Sequence, residues 1–250
     1  MDRFKSISII IPVYNEEKYI EKVIKKAIAA DSSGLKKEII VVDDGSTDDT
    51  TKILKNIEKK IQRKSASRSA SIRFYYKNMN QGKGAALKVG FLKSTGDLVL
   101  VQDSDLEYDP NNYFKLLEPF LNYEADVVYG SRFISDRPHR VLYFWHFVGN
   151  FILTTLSNMF TNLNLTDIET GFKVFNGNLI RKIAPNLQSK RFGFEPEITA
   201  RIAKIKKLKI YEVGISYYGR TYEEGKKIDW KDGLKAVWEI VKYNFLDSSA

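Results

Sequence analysis

Short apolar runs and stretches of helical period alternate along the first hundred positions. Residues 7–13 (ISIIIPV) have the length and β-branched content of a buried strand. Residues 16–30 follow, with Ile20, Val23, Ile24, Ala27 and Ile28 on one helical face. The pattern repeats as a strand at 38–42, a helix at 50–61 capped by Thr47 or Asp48, and a strand at 72–76. A helix at 85–93 and a fourth strand at 97–102 complete it, and the polar stretch 62–71 reads as a connector. This rhythm predicts an α/β sheet with helices on both faces, whose ligands bind beyond the carboxyl ends of the strands. Further on, helices are expected at 112–121, 194–203 and 230–245, and strands at 125–129, 172–175 and 209–217. The segment 141–165 breaks the rhythm: it is dense in aromatic and aliphatic residues, yet interrupted by His146, Asn150, Asn158, Asn162 and Asn164.

Each of the first four strands runs into a polar turn: PVYNE at 12–16, DDGSTD at 43–48, KNMN at 77–80 and QDSDLEY at 102–108. Asp103, Asp105 and Glu107 are spaced by two, so an extended backbone places them on one side. Crowded carboxylates repel, and a hard divalent cation such as Mg²⁺ or Mn²⁺ is their natural partner. The alternative is an acidic loop ahead of a helix start at Asp109-Pro110. The tandem Asp43-Asp44 admits a ligand contact or an ordinary turn with an N-cap. Gly82-Lys83-Gly84 admits a phosphate cradle or a plain helix start.

Composition narrows the chemistry. The 250 residues include no cysteine and only two histidines, which removes thiolate and disulfide chemistry and disfavours a His-based triad or multi-His metal site. A formal charge of +9 points to an anionic partner, with nucleic acid disfavoured because the basic residues are spread among the helices without a recognition motif. The N-terminal apolar run is too short for a signal peptide, and no uninterrupted apolar stretch is long enough to span a bilayer. A cytoplasmic location, peripheral to a membrane, is expected.

PVYNE, DDGSTD, NQGKGAAL (80–87) and QDSDLEY resemble the family-2 glycosyltransferases, and GSRF (130–133), ETGFKVF (169–175) and RTYEEGKK (220–227) extend the likeness to the polyprenyl-phosphate branch, typified by dolichyl-phosphate mannose and glucose synthases. The likeness covers roughly residues 6–245. It implies a single glycosyltransferase A-type domain over 1–229, with 141–165 as membrane-interface helices and 230–250 as a C-terminal amphipathic helix and tail. By the same likeness Pro12, Tyr14, Glu16, Val42 and Asp44 line a nucleoside pocket, and Lys83 and Ser104 belong to the nucleotide-sugar site. Asp103 and Asp105 match the DXD metal motif, while Glu107 stands where mannose synthases commonly carry Gln. Arg132, Arg220 and Lys226 match phosphate-handling positions, and Asp167 lies in an acidic segment near sugar and acceptor. For residues 167–171 a turn with Gly171 at positive φ is the other reading.

The implied reaction moves a hexose from a nucleotide diphosphate sugar (GDP-mannose or UDP-glucose type) to a polyprenyl phosphate, with inversion and with Mg²⁺ or Mn²⁺. Two alternatives stay open: a sugar-hydroxyl acceptor, with Asp105, Asp167 or Glu169 as base, and a non-catalytic nucleotide-binding membrane scaffold. Residues 141–165 are expected to lie on a membrane surface with Trp145 and Tyr143 at headgroup level and Arg137, His139 and Arg140 near anionic lipid. The alternative is packing against the core or a second subunit.

Overall fold

A computed structural model describes residues 3–63, 70–134, 140–141, 143–191, 193–220, 223 and 230–246. Lys226, Gly225, Arg137, His139 and Leu142 lie outside the described residues. Strand β1 (Ser6–Val13) is followed by helix α1 (Ile20–Ala29), β2 (Lys36–Asp43), α2 (Thr50–Arg63), β3 (Ala70–Tyr76), α3 (Lys83–Lys93) and β4 (Leu98–Val101). Then come α4 (Tyr113–Asn122), β5 (Val127–Ser131), α5 (Phe144–Thr161), β6 (Lys173–Asn176), α6 (Gly177–Ile183), α7 (Phe194–Ala203), β7 (Ile210–Gly214) and α8 (Trp230–Val241), which runs into a π-helical turn at Lys242–Leu246.

The strands form one sheet in the order β3-β2-β1-β4-β6-β5-β7. All pairings are parallel except those of β6, which runs antiparallel to β4 and to β5. The mostly parallel α/β sheet expected from the sequence is therefore what forms. Its central strands are apolar on both faces because both are covered. Ile7, Ile9 and Ile11 of β1 join Ile39 and Val41 of β2 in the core under α1 and α4. The alternate positions Ile10, Ile40 and Val42 join the core under α3 and α7. Each such fully enclosed aliphatic side chain contributes ~1.5–3 kcal/mol.

Three local departures from the expected elements shape the site. Helix α1 begins at Ile20 rather than Glu16, because Asn15 is left-handed (φ 52°) and the Glu16 carbonyl accepts from the Tyr19 and Ile20 amides (3.1 and 3.0 Å). The acidic stretch is not extended: residues 104–107 turn, with Leu106 at φ 65°. The last strand leaves the sheet at Gly214, and Tyr217 pairs singly with Tyr108, carrying Arg220 over the ends of the central strands.

Candidate active site

Beyond β4 the chain is folded from within by Gln102. Its buried amide donates to the carbonyls of Asp103 (2.9 Å) and Tyr108 (3.3 Å) and accepts from the Tyr113 hydroxyl (2.8 Å). Asp103, Asp105 and Glu107 meet through cations rather than through a shared strand face. Arg220 donates from Nη2 to Asp105 (2.9 Å), from Nε to Glu107 Oε1 (3.0 Å), and pairs with Glu16 through Nη1 (3.7 Å). Lys83, in the first turn of α3, pairs with Asp103 and with Glu195 of α7, each at 2.9 Å. Burial works against the Lys83 ammonium, but Asp103 and Glu195 hold its pKa well above normal. Asp105 is pushed up to about 7, first by burial and then by Asp103 and Glu107, with Arg220 opposing.

A second knot lies beside the first. Arg132, just past β5, grips Asp167 with a fork (Nε to Oδ2 and Nη2 to Oδ1, both 2.7 Å). Asp167 is fully buried and also accepts from the Asn150 amide of α5 at 3.2 Å. Glu212 of β7 accepts the Thr166 and Asp167 amides (2.9 and 3.1 Å), fixing the loop that presents Asp167. Tyr217 links the two knots: its hydroxyl donates to Glu107 Oε2 (2.7 Å) and its ring lies 5.2 Å from the Arg132 guanidinium. Gly171 is not at positive φ. It is required for space, since a Cβ there would stand 2.1 Å from Asp103 Oδ2.

Behind these lie Glu169, Lys173 and Glu195. Burial, then Glu195, pushes Glu169 up to about 8, and burial pushes Lys173 down to about 8. The Lys173 ammonium donates to the carbonyls of Ile168 (3.0 Å) and Thr170. Oxygens of Glu169 and Glu195 are buried without a hydrogen-bond partner among the described residues.

The strand ends on the other side hold the residues expected around a nucleoside. Asp44 is buried, pairs with Lys77 and accepts the Gln81 (3.0 Å) and Gly82 amides, tying β2 to the start of α3. That start needs Gly82 at φ 100°, where a Cβ would meet the Lys190 carbonyl at 2.4 Å. Glu16 is buried against Arg220, while Tyr14 is exposed at the rim. Pro12 and Ser104 are buried nearby, and Val42 is enclosed in the core under α3.

The model of Glycosyl transferase family 2 matches residues 8–184. The chain belongs to that family. A UDP-N-acetylglucosamine–dolichyl-phosphate N-acetylglucosaminyltransferase of Methanococcus voltae is 27% identical over 244 residues, covering 95% of each chain. A dolichyl-phosphate β-glucosyltransferase of Dictyostelium discoideum is 29% identical, covering 96% of this chain and 74% of the relative. Both names bear out the resemblance to the polyprenyl-phosphate branch. Among solved structures, glucosyl-3-phosphoglycerate synthase of Mycobacterium tuberculosis, in complex with Mn²⁺ and UDP-glucose, superposes with a TM-score of 0.68 at 19% identity. It covers 98% of this chain and 81% of that one, and bears out the glycosyltransferase A-type fold.

In this family-2 chain the donor set suits a hard cation. Glu16, Asp103, Asp105, Glu107 and Glu195 outnumber the cations paired with them among the described residues, Lys83 and Arg220. The oxygens are of the type Mg²⁺ and Mn²⁺ prefer. As the side chains stand, no three acidic or histidine groups among the described residues are poised together around one metal position. Both Glu107 oxygens are engaged by Arg220 and Tyr217. Glu195, Lys173, Tyr217 and Asn150 escaped the sequence reading. Asn150 carried a signal as a polar break in an apolar segment, and Lys173 as part of the ETGFKVF motif.

Proposed function

We propose that this chain transfers a hexose or N-acetylhexosamine from a nucleotide diphosphate sugar to a polyprenyl phosphate, with inversion, at the cytoplasmic face of a membrane. The observation that carries this reading is the exposed apolar face of α5. Its fully buried residues are Thr154 and Ser157, beside half-buried Leu153, Leu156 and Phe160 that pack on the core, while Phe144, Trp145, Phe147, Phe151 and Met159 face outward, Trp145 at 78% exposure. Thr154 donates to the Asn150 side chain (3.1 Å) and accepts the Ile168 amide (3.3 Å), and Asn158 exchanges hydrogen bonds with Leu165 (2.7 and 3.1 Å). A helix facing water carries polar side chains on its outer side, so the medium fitting this outer face of α5 is lipid. The outward face continues into the C-terminal π-turn, where Phe245 meets Phe160 edge-on at 4.7 Å. No helix among the described residues is long and apolar enough to cross a membrane. Through Asn150, the same helix touches the Arg132–Asp167 knot. The apolar surface of α5 is thus joined, through Asn150 and Asp167, to an arginine suited to a lipid phosphate.

A monoalkyl phosphate has a second pKa of about 6 and is already mostly dianionic near neutrality, so it attacks the anomeric carbon without a strong base. The task left to the protein is to hold two anions together and stabilise the departing diphosphate. Asp103 and Asp105 would hold the Mg²⁺ or Mn²⁺ that supplies Lewis-acid stabilisation of that leaving group. Arg220, Arg132 and Lys83 supply positive charge, and Lys226 falls in the same basic segment as Arg220. Tyr14, Glu16 and Asp44 stand on the nucleoside side. A uridine donor is supported by the name of the Methanococcus voltae relative. Radiolabelled UDP- and GDP-sugars incubated with membranes and Mg²⁺ or Mn²⁺, then extracted into organic solvent, test the proposal. Label in the organic phase, lost on chelation, is expected. Label confined to water-soluble or polymeric product would replace this reading with the sugar-hydroxyl acceptor, for which Glu169, with its pKa near 8, is the base at hand.

A further inference from the structure

Arg220 holds its carboxylate partners in two different ways. Towards Glu107 the attachment is double: the Nε and the backbone amide of Arg220 both donate to Oε1, each at 3.0 Å. The other Glu107 oxygen accepts from the Tyr217 hydroxyl (2.7 Å), and its carbonyl accepts the Tyr218 amide (2.9 Å). Glu107 is therefore saturated by residues 217–220 and anchors the segment as well as the guanidinium. Towards Asp105 and Glu16 the attachment is by one terminal nitrogen each, at 2.9 and 3.7 Å. Rotation about the last side-chain torsions releases those two contacts while leaving the backbone anchor intact.

Resting on the function proposed above, we infer that Arg220 is a resident counter-cation of the acidic cluster, exchanged on ligand binding. In the free protein it occupies Asp105 and Glu16. When a divalent cation takes up Asp105, the terminal nitrogens of Arg220 transfer to the donor diphosphate, pivoting on Glu107, which is a positioning residue and not a metal ligand. The charges require such a move. A guanidinium and a divalent cation on one carboxylate repel each other, and the diphosphate brings the negative charge that accepts the displaced nitrogens. Lys83 is held differently. Glu195 retains it whether or not Asp103 is taken, so the mobile cation is Arg220.

The consequence is a coupling between metal and nucleotide that Arg220 carries, and linkage makes it reciprocal. Mn²⁺ binding to the full chain, followed by electron paramagnetic resonance without and with saturating UDP, reads it directly. In the wild type UDP is expected to tighten Mn²⁺ by at least tenfold. Arg220→Gln is expected to bind Mn²⁺ alone several-fold more tightly than wild type and to lose most of the tightening by UDP. Lys26→Gln removes the same charge from a surface pair with Asp109 (3.6 Å) and is expected to change neither value. Should Arg220→Gln fail to fold, Arg220→Lys keeps the charge but cannot span Glu107 and a phosphate, so its coupling is expected to fall as well. Unaltered coupling in a folded Arg220 variant, or equal tightening of Mn²⁺ by Lys26→Gln, overturns the exchange while leaving the transferase reading standing. A wild type that binds neither Mn²⁺ nor UDP overturns both.

Discussion

Glu38 and Asp105 are largely enclosed carboxylates at opposite ends of the sheet, and their surroundings push them in opposite directions. Glu38, near the start of β2, accepts from the hydroxyl of Ser8 and from the amide and hydroxyl of Thr95 (2.9 Å each), and pairs with Arg73. Burial pushes its pKa up, but these donors outweigh it and the net value falls below 4.5. Asp105, beyond the end of β4, has one backbone amide (Glu107, 3.2 Å) and Arg220 for partners, and two carboxylates for neighbours. Burial, Asp103 and Glu107 together lift it to about 7. Burial raises both and raises Asp105 more, but the partners decide the sign at Glu38. Glu38 is supplied with neutral donors within the fold and serves stability. Asp105 is surrounded by its own kind, which is the signature of a group arranged for a ligand rather than for the fold.

The sharpest way to break the comparison is to neutralise each carboxylate in turn. Asp105→Asn is expected to lower transfer by on the order of 10²–10³-fold or more, the several kcal/mol that a bound metal supplies to a developing charge. Its melting temperature is expected to be no lower than wild type, because the amide oxygen still accepts from Arg220 and a like-charge contact is gone. Metal-titrated transfer assays beside thermal melts measure both. Full activity, or a clear loss of stability, would put Asp105 in the same class as Glu38.

How much of this was written in the chain depends on sequence distance. Strands β1 to β4 and the turns after them are contiguous blocks in which apolar periodicity gives the strand and the next few residues give the chemistry. Asp43-Asp44, Lys83 and the Asp103–Glu107 stretch were legible for that reason. The other half of the site is assembled from pairs far apart: Asn150 with Asp167, Arg132 with Asp167, Tyr217 and Arg220 with Glu107, and Lys83 with Glu195. No local period announces such pairs, since they follow from strand order and from where β7 leaves the sheet. Polarity was legible in α5 but its direction was not. Asn150 and Asn158 read as interruptions, whereas they are the inner, protein-facing side of the helix. The spacing of Asp103, Asp105 and Glu107 suggested an extended strand, and the left-handed Leu106 replaces it with a turn.

The apolar face of α5 stands to the lipid as Asp105 stands to the cation, so it offers the next test. Trp145→Glu/Phe147→Glu replaces two outward rings, 78% and 50% exposed, and is expected to weaken vesicle binding by ~2–4 kcal/mol given the burial energy of such side chains. Lipid-acceptor turnover should fall with it, while fold and UDP binding stay unchanged. Undiminished co-sedimentation with anionic vesicles by the folded variant would return α5 to packing against another protein. Arg132→Ala comes next in size. Loss of a charge-assisted contact from Arg132 to the lipid phosphate is expected to cost ~1.5–3 kcal/mol, read as a fall in kcat/KM for the lipid phosphate. An unchanged value would confine Arg132 to holding Asp167.

The smallest effect is expected from Glu38→Gln, and it tests the satisfied half of the comparison. The amide oxygen still accepts from the Ser8 hydroxyl and the Thr95 amide, while an NH2 group replaces the charged oxygen facing Arg73 and the Thr95 hydroxyl. At neutral pH the loss is expected to be ~1–2 kcal/mol, in the range for hydrogen bonds to a charged group. The sign of the pH dependence follows from the shift. The folded pKa lies below the unfolded value of 4.5, so the charge contributes stability that is present above pH 4.5 and lost as pH falls through the folded value. The gap between wild type and Glu38→Gln in urea melts should therefore be widest from pH 6 to 7 and narrow as pH falls below 4.5, with transfer activity equal in both. A gap that persists undiminished at low pH would mean that shape and packing, not the Glu38 charge, stabilise this end of the sheet, and the contrast with Asp105 would lose its electrostatic basis.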